Sequence, residues 1–590
     1  MCGILALHCD SKDLQSEFMK ALELQEHRGP DETRYCTFQD INLLLGSNRL
    51  SIIDQKHGSQ PLQNDEHTIA ISFNGEIFNA PELRKSLVNS GVLFNSNHSD
   101  TEVILRGYIK YGLEFISMLN GMFAIIIIDK LKGKLIGIRD RFGIKPFHYI
   151  LNGNFMVCSS ELMPLLKLMK AGDLKISIDM DSVREYLQIG FISAPRTIYS
   201  NVKVLEPGYS IEFDLTTKSI IKSKWWNKKK ENWGCISEPE LPKMVRNEFL
   251  EAVSRWTYSD HDLALSLSGG IDSTCILVAS KILGIKLDTF SLVFEHSNLN
   301  SWDESKNINR IVQTFGTNHS PIHLSAVGLS QSLSKIIKHL GQPYGGGLPS
   351  YKVFKEVSKS HRVCLTGTGG DELFGNYGRH NLVGISDINS QQNFDKNYTQ
   401  VLYKSRKSLL ERIFLDLDFS SKTNDWFSNS QSDINSKLEE RLEQISLSTQ
   451  LPDEFLFATD RLSMMYSVEA RTPFLDHVFA EKILSIDSQI RYQLPMKKLL
   501  KSAFKAEFEK LQLSELKRGF SLPLSVWIRS ELREWAENAI NNHKMMEYSN
   551  LDFKFLNGVF DDFLAGNNEN VLILWRILMF SAWLNASEFL

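Results

Sequence analysis

Residues 263–273 read LALSLSGGIDS, an apolar run that passes through two glycines into the start of a helix. Free backbone N–H groups at a helix N-terminus bind anions, and Ser268 and Ser273 add hydroxyl donors. No Lys completes the loop, so the stretch differs from the GxxxxGK-Ser/Thr loop of the kinase type. A Gly-Gly pair after a strand is often only a turn, but the full context predicts a phosphate-binding turn.

Strands and helices alternate on both sides of this stretch. The predicted strands are 263–267, 289–294 and 363–365, and the predicted helices are 244–253, 274–283 and 308–315. This alternation predicts an α/β unit whose parallel sheet has helices on both faces. From Phe455 onward nearly all of the sequence has helical spacing, and 571–584 predicts a buried helix. Polar stretches at 387–398 and 420–436 predict surface loops.

A second glycine-rich turn, TGTGGDELFG at 366–375, follows the third predicted strand. Asp272 is a candidate ligand for Mg²⁺ bound with a nucleotide, and Asp371 is the candidate for a second carboxylate ligand. Glu372 would lie beside the reacting centre, and Lys517 is a candidate cation for pyrophosphate. The structural alternatives are a helix cap for the acidic pair and an ordinary surface position for Lys517.

The first two hundred residues have a different pattern, with short apolar runs broken by Gly, Asn and Asp. The run 69–73 ends at Asn74-Gly75, which predicts a hairpin turn, and the run 123–128 predicts another strand. Residues 101–111 have helical spacing. This part of the chain is therefore predicted to be α+β, and a polar stretch at 216–240 is the candidate linker to the α/β unit.

Chemistry at the amino terminus depends on Cys2, which becomes the first residue if Met1 is removed. Its thiol would then lie beside an α-amine with an ordinary pKa of about 7.7–8.0, which is suited to general-base work. Arg49 could bind a carboxylate bidentately, and the Asn74 amide with the Gly75 N–H could bind an oxyanion. Asp100 could bind an ammonium group or merely cap the following helix.

Six ordered motifs in the first 146 residues resemble the class II glutamine amidotransferases, whose fold is the αββα N-terminal-nucleophile sandwich. They are CGI at 2–4, HRGPD at 27–31, RLSI at 49–52, NGE at 74–76, DTE at 100–102 and DRFGIKP at 140–146. The resemblance implies a glutaminase domain at 2–215 that forms a thioester on Cys2 and keeps the ammonia for a second site. It also implies that Arg49 binds the substrate carboxylate, that Asp100 and Glu76 bind its amino group, and that Asn74 and Gly75 bind the oxyanion.

Residues 241–590 resemble the synthetase domain of the glutamine-hydrolysing asparagine synthetases of the B type, which is related to the adenine-nucleotide α-hydrolases and has a helical carboxy-terminal part. The supporting motifs lie at 268–273, 289–293, 303–305, 367–375, 468–476 and 517–520. The resemblance implies adenylation of a carboxylate by Mg²⁺-ATP, ammonia transfer through an intramolecular tunnel, and release of an amide, AMP and pyrophosphate. The ATP-binding residues that it implies are Ser266, Leu267, Ser268, Gly269, Gly270, Asp272, Ser273, Val293, Thr366, Gly367 and Lys517.

One departure from the family pattern concerns the acceptor. The position of Thr368 is usually acidic in the asparagine-forming enzymes, where the acid could take a proton from incoming ammonia. L-Aspartate is the expected acceptor, and the alternative is another carboxylate such as a uronic-acid sugar in surface-polysaccharide biosynthesis. A β-lactam-synthetase-like cyclase has no use for ammonia, so Cys2, Arg49, Asn74 and Asp100 argue against it. A scaffold without activity would leave both candidate sites unexplained.

Composition restricts the remaining function classes. The 590 residues carry 66 Lys+Arg against 70 Asp+Glu, and a net charge of −4 gives no basic surface for nucleic acid. No apolar run reaches the ~20 uncharged residues of a membrane span, and no secretion signal is expected. Seven scattered cysteines without a CxxC pair fit a reducing compartment, so we expect a cytoplasmic enzyme. Family resemblance alone suggests a homodimer.

Overall fold

The computed structural model describes residues 1–10, 14–227, 236–294, 304–324, 328–375, 398–419, 438–511 and 522–587. Lys517, most of the two polar stretches and residues 228–235 of the predicted linker lie outside these residues.

Two six-stranded antiparallel sheets form the amino-terminal part, in the orders β10-β8-β9-β1-β3-β2 and β12-β11-β7-β6-β5-β4. The strands are β1 Cys2–His8, β2 Glu32–Phe38, β3 Leu43–Arg49, β4 Leu62–Gln63, β5 Ile69–Ile77, β6 Gly121–Asp129, β7 Lys134–Arg139, β8 His148–Asn152, β9 Phe155–Ser159, β10 Lys203–Val204, β11 Tyr209–Asp214 and β12 Ile220–Lys224. The α-helices are α1 Gln15–Glu23, α2 Ala80–Asn89, α3 Asp100–Tyr111, α4 Leu162–Ala171 and α5 Met180–Ile189, and 3-10 helices occupy Glu26–Arg28, Gln39–Ile41 and Gly112–Met118.

Alternating side chains along these strands build the layers. On β1, Ile4 and Ala6 pack between the two sheets, whereas Leu5 and Leu7 pack with α1 and α4. Phe73 on β5 packs outward with α2 and α3. Because successive strand residues point to opposite faces, each sheet buries one face on the other sheet and one on helices. The predicted αββα sandwich is confirmed. Strand β12 lies inside the stretch expected as a linker and pairs with β11.

The predicted turn at Asn74-Gly75 is wrong. Strand β5 continues through both residues, with Asn74 opposite Ala124 and Gly75 opposite Phe123 on β6. Gly75 has φ +155°, and a Cβ built on it would lie 2.0 Å from the Met122 carbonyl oxygen. The glycine therefore allows two strands to approach closely, which a turn signal read from the sequence does not reveal.

The second half contains a five-stranded parallel sheet in the order β15-β14-β13-β16-β17. Its strands are β13 Leu263–Ser266, β14 Asp288–Phe294, β15 His319–Leu324, β16 Val363–Leu365 and β17 Glu469–Arg471. Helix α6 Leu241–Trp256 precedes the first of these strands, and it is followed by α7 Ile271–Ile282, α8 Ser305–Phe315, α9 Leu329–Leu340, α10 Leu348–Val357 and α11 Gly370–Phe374. Leu263 and Leu265 pack with α6 and α7, whereas Ala264 packs with α9 and α10, so helices cover both faces as predicted.

The carboxy-terminal part is helical as predicted, apart from β17. Its helices are α12 Lys407–Ile413, α13 Leu438–Ile445, α14 Phe457–Met464, α15 His477–Ser485, α16 Ser488–Arg491, α17 Lys498–Ala503, α18 Lys505–Leu511, α19 Leu524–Arg529, α20 Arg533–Ile540, α21 Phe553–Leu564 and α22 Val571–Ala586, with a π-helix at Ser446–Leu456 and 3-10 helices at Pro473–Leu475 and His543–Glu547. Helix α22 is largely buried. Within the described residues, no helix has the length and apolar character needed to cross a membrane.

The two halves share hydrophobic cores. One cluster joins Leu50, Ile52 and Ile144 of the first half to Leu451 and Leu456 of the second. Apolar burial of this kind stabilises the contact between the two halves.

Candidate functional site

The first candidate site is a pocket at the start of β1. Cys2 pairs directly with Arg49 across β1 and β3, and Cys2 is buried. Gly75, Glu76 and Asp100 line the same pocket. The structure thus gathers residues that are up to 98 positions apart in the sequence, and Asn74 lies at the pocket as well, because its Oδ1 accepts a hydrogen bond of 3.1 Å from the Cys2 N–H.

The Arg49 guanidinium is held by the loop that follows β3. Its Nη2 donates to the carbonyl oxygens of Ile53 (3.1 Å) and Asp54 (2.7 Å), and its Nη1 donates to that of Gln55 (3.1 Å). A Cβ at Gly58 would lie 2.2 Å from Arg49 Nη2, so glycine leaves room for the cation. A guanidinium has five N–H donors, and this loop uses three. The remaining donors are available for a carboxylate.

The side-chain amide of Asn74 lies between the Cys2 nitrogen and Ser160. Its Nδ2 lies 3.5 Å from Ser160 Oγ, while its Oδ1 faces the Cys2 nitrogen. If Met1 is removed, this oxygen would accept a hydrogen bond from the α-amine of Cys2. The arrangement places Asn74 where its side-chain oxygen can orient the amine.

Two buried carboxyl groups create a site for a cation. Burial raises the pKa of Asp100 to about 6, although the N–H groups of Ile77 and Thr101 donate to its carboxylate. Burial, together with the charge of Asp100, raises the pKa of Glu76 well above its usual range. The α3 helix is capped by Ser99, whose Oγ accepts from the Glu102 N–H, so Asp100 is not the cap. An ammonium group would relieve the repulsion between these carboxylates.

Met1 occupies part of this pocket. Its side chain is buried among the lining residues, and its amino nitrogen lies 3.3 Å from Glu469 Oε2 and 3.2 Å from the Leu50 carbonyl oxygen. While Met1 is present, the Cys2 nitrogen is an amide and is not basic. Removal of Met1 would both free the α-amine and open the pocket.

The second candidate site begins where β13 ends. Ser273 Oγ lies 3.2 Å from the Ser268 N–H and 3.2 Å from Ser268 Oγ, and Gly269 has φ +77°. These bonds fold the 268–273 turn tightly around the N-terminus of α7. Ser266 and Leu267 precede the turn, and Val293 lies near the end of the neighbouring strand β14. The predicted phosphate-binding turn is thus placed at the carboxyl edge of a parallel sheet, as in other nucleotide sites.

The second glycine-rich turn packs against the first. A Cβ at Gly370 would lie 2.6 Å from Asp272 Oδ1, and one at Gly367 would lie 2.9 Å from Asp272 Cβ. Asp371 and Glu372 are buried in the short helix α11. The structure therefore brings Asp272, Asp371, Thr366 and Gly367 together, although the two turns are 93 positions or more apart in the sequence.

Lys497 is a residue of this site that sequence reasoning missed. Its ammonium contacts Asp272 Oδ2 and lies 2.6 Å from Asp371 Oδ1, and the side chain is buried. Lys497 is 225 positions from Asp272 and belongs to no local motif, so only the fold reveals the contact.

The acidic pair fits a magnesium ion bound with a nucleotide. Mg²⁺ typically takes one or two protein carboxylates and fills its remaining positions with phosphate oxygens and water. Asp272 and Asp371 converge beside the 268–273 turn and would supply that number of ligands. Among the described residues, no group of three or more His, Cys, Asp or Glu side chains could hold a metal ion by itself.

Thr368 lies in the second turn, with its Oγ1 3.2 Å from Thr366 Oγ1. These two hydroxyl groups cannot serve as a base at neutral pH. Glu372 is buried nearby, and its carbonyl oxygen accepts from the Tyr492 hydroxyl at 3.2 Å.

A buried arginine connects the two candidate sites. Arg471, at the end of β17, lies 3.7 Å from Glu76 Oε2 and 2.6 Å from Glu469 Oε1. Its carbonyl oxygen accepts from the Thr366 N–H at 2.8 Å. One residue thus touches both a carboxylate of the first pocket and the turn that carries Asp371.

A second buried polar cluster lies beside it. Arg28 donates to the Cys2 carbonyl oxygen (3.2 Å) and forms ion pairs with Glu161 (2.6 Å) and Asp460 (2.9 Å). Lys145 lies 3.4 Å from the same Asp460 carboxylate, and Arg461 pairs with Glu161. These charges are all buried, so each depends on its partners in the other half of the chain.

Comparison with known proteins agrees with this division of the chain. Residues 1–226 match a glutamine amidotransferase domain family, and residues 244–585 match the asparagine synthase family. Glutamine-hydrolysing asparagine synthetase 1 of Bacillus subtilis (strain 168) is 30% identical, with 96% of this chain and 93% of the relative aligned. Asparagine synthetase 3 of the same organism is 28% identical over 83% of this chain and 82% of its own length.

Among solved structures, the allosteric regulatory enzyme of purine biosynthesis matches 56% of this chain and 91% of its own, at 14% identity and a TM-score of 0.31. The family matches and the near-complete alignment show the family. The chain belongs to the glutamine-hydrolysing asparagine synthetase family of carbon–nitrogen ligases, with a glutamine amidotransferase half and an ATP-using asparagine synthase half.

Proposed function

We propose that this enzyme converts L-aspartate, glutamine and ATP into L-asparagine, glutamate, AMP and pyrophosphate. The observation that carries the proposal is the position of Arg471, which contacts Glu76 of one site and the Thr366 turn of the other. Such a contact suits two half-reactions that must run together.

The glutaminase half acts through Cys2 after removal of Met1. The thiol proton passes to the α-amine, the sulfur bonds to the side-chain carbonyl carbon of glutamine, and the C–N bond breaks as the proton reaches the leaving nitrogen. Water then hydrolyses the thioester to glutamate. In this proposal Arg49 holds the substrate carboxylate, Glu76 and Asp100 hold its ammonium, and Asn74 and Gly75 stabilise the oxyanion.

The synthetase half activates the acceptor. The 268–273 turn and Lys497 bind the phosphates, while Asp272 and Asp371 would hold Mg²⁺, which would supply positive charge beside the phosphate oxygens. Lys517, outside the described residues, is proposed as a further phosphate ligand, with Ser266, Leu267, Val293, Thr366 and Gly367 around the nucleotide. The acceptor carboxylate attacks the α-phosphorus and expels pyrophosphate, and ammonia then displaces AMP from the acyl-adenylate.

Ammonia would travel through the interface between the halves. Leu50, Ile52, Met122 and Ile144 of the glutaminase half pack there against apolar residues of the synthetase half such as Leu456. An apolar route between these side chains would favour neutral ammonia over ammonium, because burying an ion carries a large desolvation cost.

A second candidate acceptor is a uronic-acid sugar, and Thr368 is the residue that favours it. A different acceptor would need a different arrangement near the acyl-adenylate, and Thr368 stands where the asparagine-forming relatives usually have an acid. Glu372 is the proposed base if aspartate is the acceptor.

ATP–pyrophosphate exchange against a panel of carboxylic acids tests the acceptor. We expect exchange with L-aspartate and none with uronic acids or with L-glutamate, and AMP as the nucleotide product. Exchange with a uronic acid but not with L-aspartate would show that the uronic acid is the acceptor. Formation of ADP would contradict adenylation altogether.

We also propose the domain division 2–215, 216–240 and 241–590, in which β12 is the part of the linker that pairs with the first domain. A cytoplasmic location and a homodimer are proposed from composition and family resemblance, respectively.

A further inference from the structure

Gln60 is a buried residue of the glutamine pocket to which the family motifs give no role. It follows the loop that holds Arg49, and it is 4% exposed. Its Nε2 lies 3.7 Å from Cys2 Sγ, within hydrogen-bond range for a sulfur acceptor, and 3.2 Å from Thr101 Oγ1. The side-chain amide thus touches the nucleophile itself.

The orientation of this amide is fixed by the backbone. The Phe73 N–H donates to Gln60 Oε1 at 2.6 Å, and a backbone N–H can only donate. The oxygen of the amide therefore faces β5, and its two N–H donors must face Cys2 and Thr101. Phe73 directly precedes Asn74, so the same strand positions both Gln60 and the proposed oxyanion residue.

We infer that Gln60 is a further catalytic residue of the glutaminase reaction, which donates a hydrogen bond to the Cys2 sulfur. This inference rests on the proposed function. When the thiol proton moves to the α-amine, sulfur carries negative charge, and an N–H donor stabilises that charge. The same hydrogen bond stabilises the negative charge on the sulfur when it leaves the carbonyl carbon during thioester hydrolysis. Gln60 exchanges no proton in either step.

Gln60→Glu is the sharpest test, because it keeps an acceptor for the Phe73 N–H and replaces the N–H₂ group by oxygen. Gln60→Met provides a second variant of similar length that has neither donor nor charge. The matched control is Gln63→Glu, the same exchange at a half-buried residue of β4 whose side chain contacts His67. Retained ammonia-dependent synthesis shows that each variant is folded.

The readout is the rate at which iodoacetamide alkylates Cys2 at pH 7.5 without glutamine, followed by mass spectrometry of the N-terminal peptide. Cys2→Ala supplies the blank. Burial raises the pKa of Cys36 to about 11 and that of Cys364 to about 12, so these two thiols react slowly.

We expect Cys2 to be alkylated at least about tenfold more slowly in both Gln60 variants, because each loses a hydrogen bond to a charged group. The kcat for glutamine hydrolysis should fall by a similar factor, and the KM for glutamine should be nearly unchanged. Gln63→Glu should match the wild type. A rate within twofold of wild type in either Gln60 variant would overturn the inference. Because alkylation needs no glutamine, slower alkylation in a protein that releases no ammonia would refute the proposed function and leave the Gln60 contact standing.

Discussion

Lys497 offers a direct test of the synthetase site at the scale of one side chain. Lys497→Met removes the cation that contacts both Asp272 and Asp371 and leaves two buried carboxylates facing each other. We expect ATP–pyrophosphate exchange to fall by about 10²–10³, a typical loss for one electrostatic group, while glutamine hydrolysis continues. Lys498→Met changes the exposed neighbouring lysine and should have no effect. If the exchange rate of Lys497→Met stays within threefold of the wild-type rate, Lys497 does not bind the phosphates.

The glutamine site should respond to pH through Asp100. Because burial raises its pKa to about 6, this carboxyl becomes neutral as the pH falls below 6 and then no longer attracts the ammonium of glutamine. We expect KM for glutamine to rise up to about tenfold per pH unit below 6. Steady-state glutaminase assays from pH 5 to 8 measure this. In Asp100→Asn the KM should be high and nearly independent of pH, and a flat wild-type profile would contradict the assignment.

Cys2→Ala separates the two half-reactions. The variant lacks the nucleophile, so glutamine-dependent amide formation should fall below detection, while synthesis from added ammonium salts should continue because the synthetase site is untouched. Product analysis with each nitrogen source measures this. Loss of both activities would refute the division of labour between the halves.

Local motifs in the sequence point to residues that the structure places close together, whereas residues with distant partners leave no local signal. Cys2, Arg49, Gly75 and Asp100 were predicted from short motifs, and the structure gathers them around one pocket. Lys497 and Gln60 carry no motif, since their importance arises from contacts 225 and 58 positions away in the sequence.

At the scale of elements, the two glycine-rich turns pack so closely that no side chain should fit at position 370. Gly370→Ala would place a Cβ 2.6 Å from Asp272 Oδ1, so we expect it to displace the carboxylate and lower ATP–pyrophosphate exchange at least about a hundredfold. Gly558→Ala is the matched control, because no atom lies within 4 Å of its Cβ position in helix α21. The control should keep full activity and gain up to about 1 kcal/mol of stability. Equal exchange rates in the two variants would refute the expected clash.

Elements with clear periodicity were predicted correctly, whereas strand β17 and the continuation of β5 through Asn74 and Gly75 were not. The alternation of strands and helices around 263–273 was confirmed, as was α3 at Asp100–Tyr111. Strand β17 has only three residues, too few to show a period of two, and it becomes a strand by pairing with β16. Asn74-Gly75 resembles a turn in sequence because a glycine that permits close strand approach and one that permits a turn look alike.

At the scale of the whole molecule, the buried charges between the halves should control both stability and coupling. Asp460→Asn removes the carboxylate that Arg28 and Lys145 share, and breaking a buried ion pair costs about 3–5 kcal/mol. We expect a lower melting temperature and fewer amides formed per glutamine hydrolysed. Glu537→Gln removes an exposed pair with Arg533 (2.9 Å) and should change neither. An unchanged ratio of amide to glutamate in Asp460→Asn would exclude a role of this cluster in coupling.

The central claim is that nitrogen released at Cys2 reaches the activated acid inside the protein. Supplying glutamine labelled with ¹⁵N in its side-chain amide, together with ATP, L-aspartate and an excess of unlabelled ammonium, tests it directly. Mass spectrometry of the asparagine formed should find ¹⁵N in most product molecules. A ¹⁵N content equal to that of the mixed ammonium in solution would contradict internal transfer.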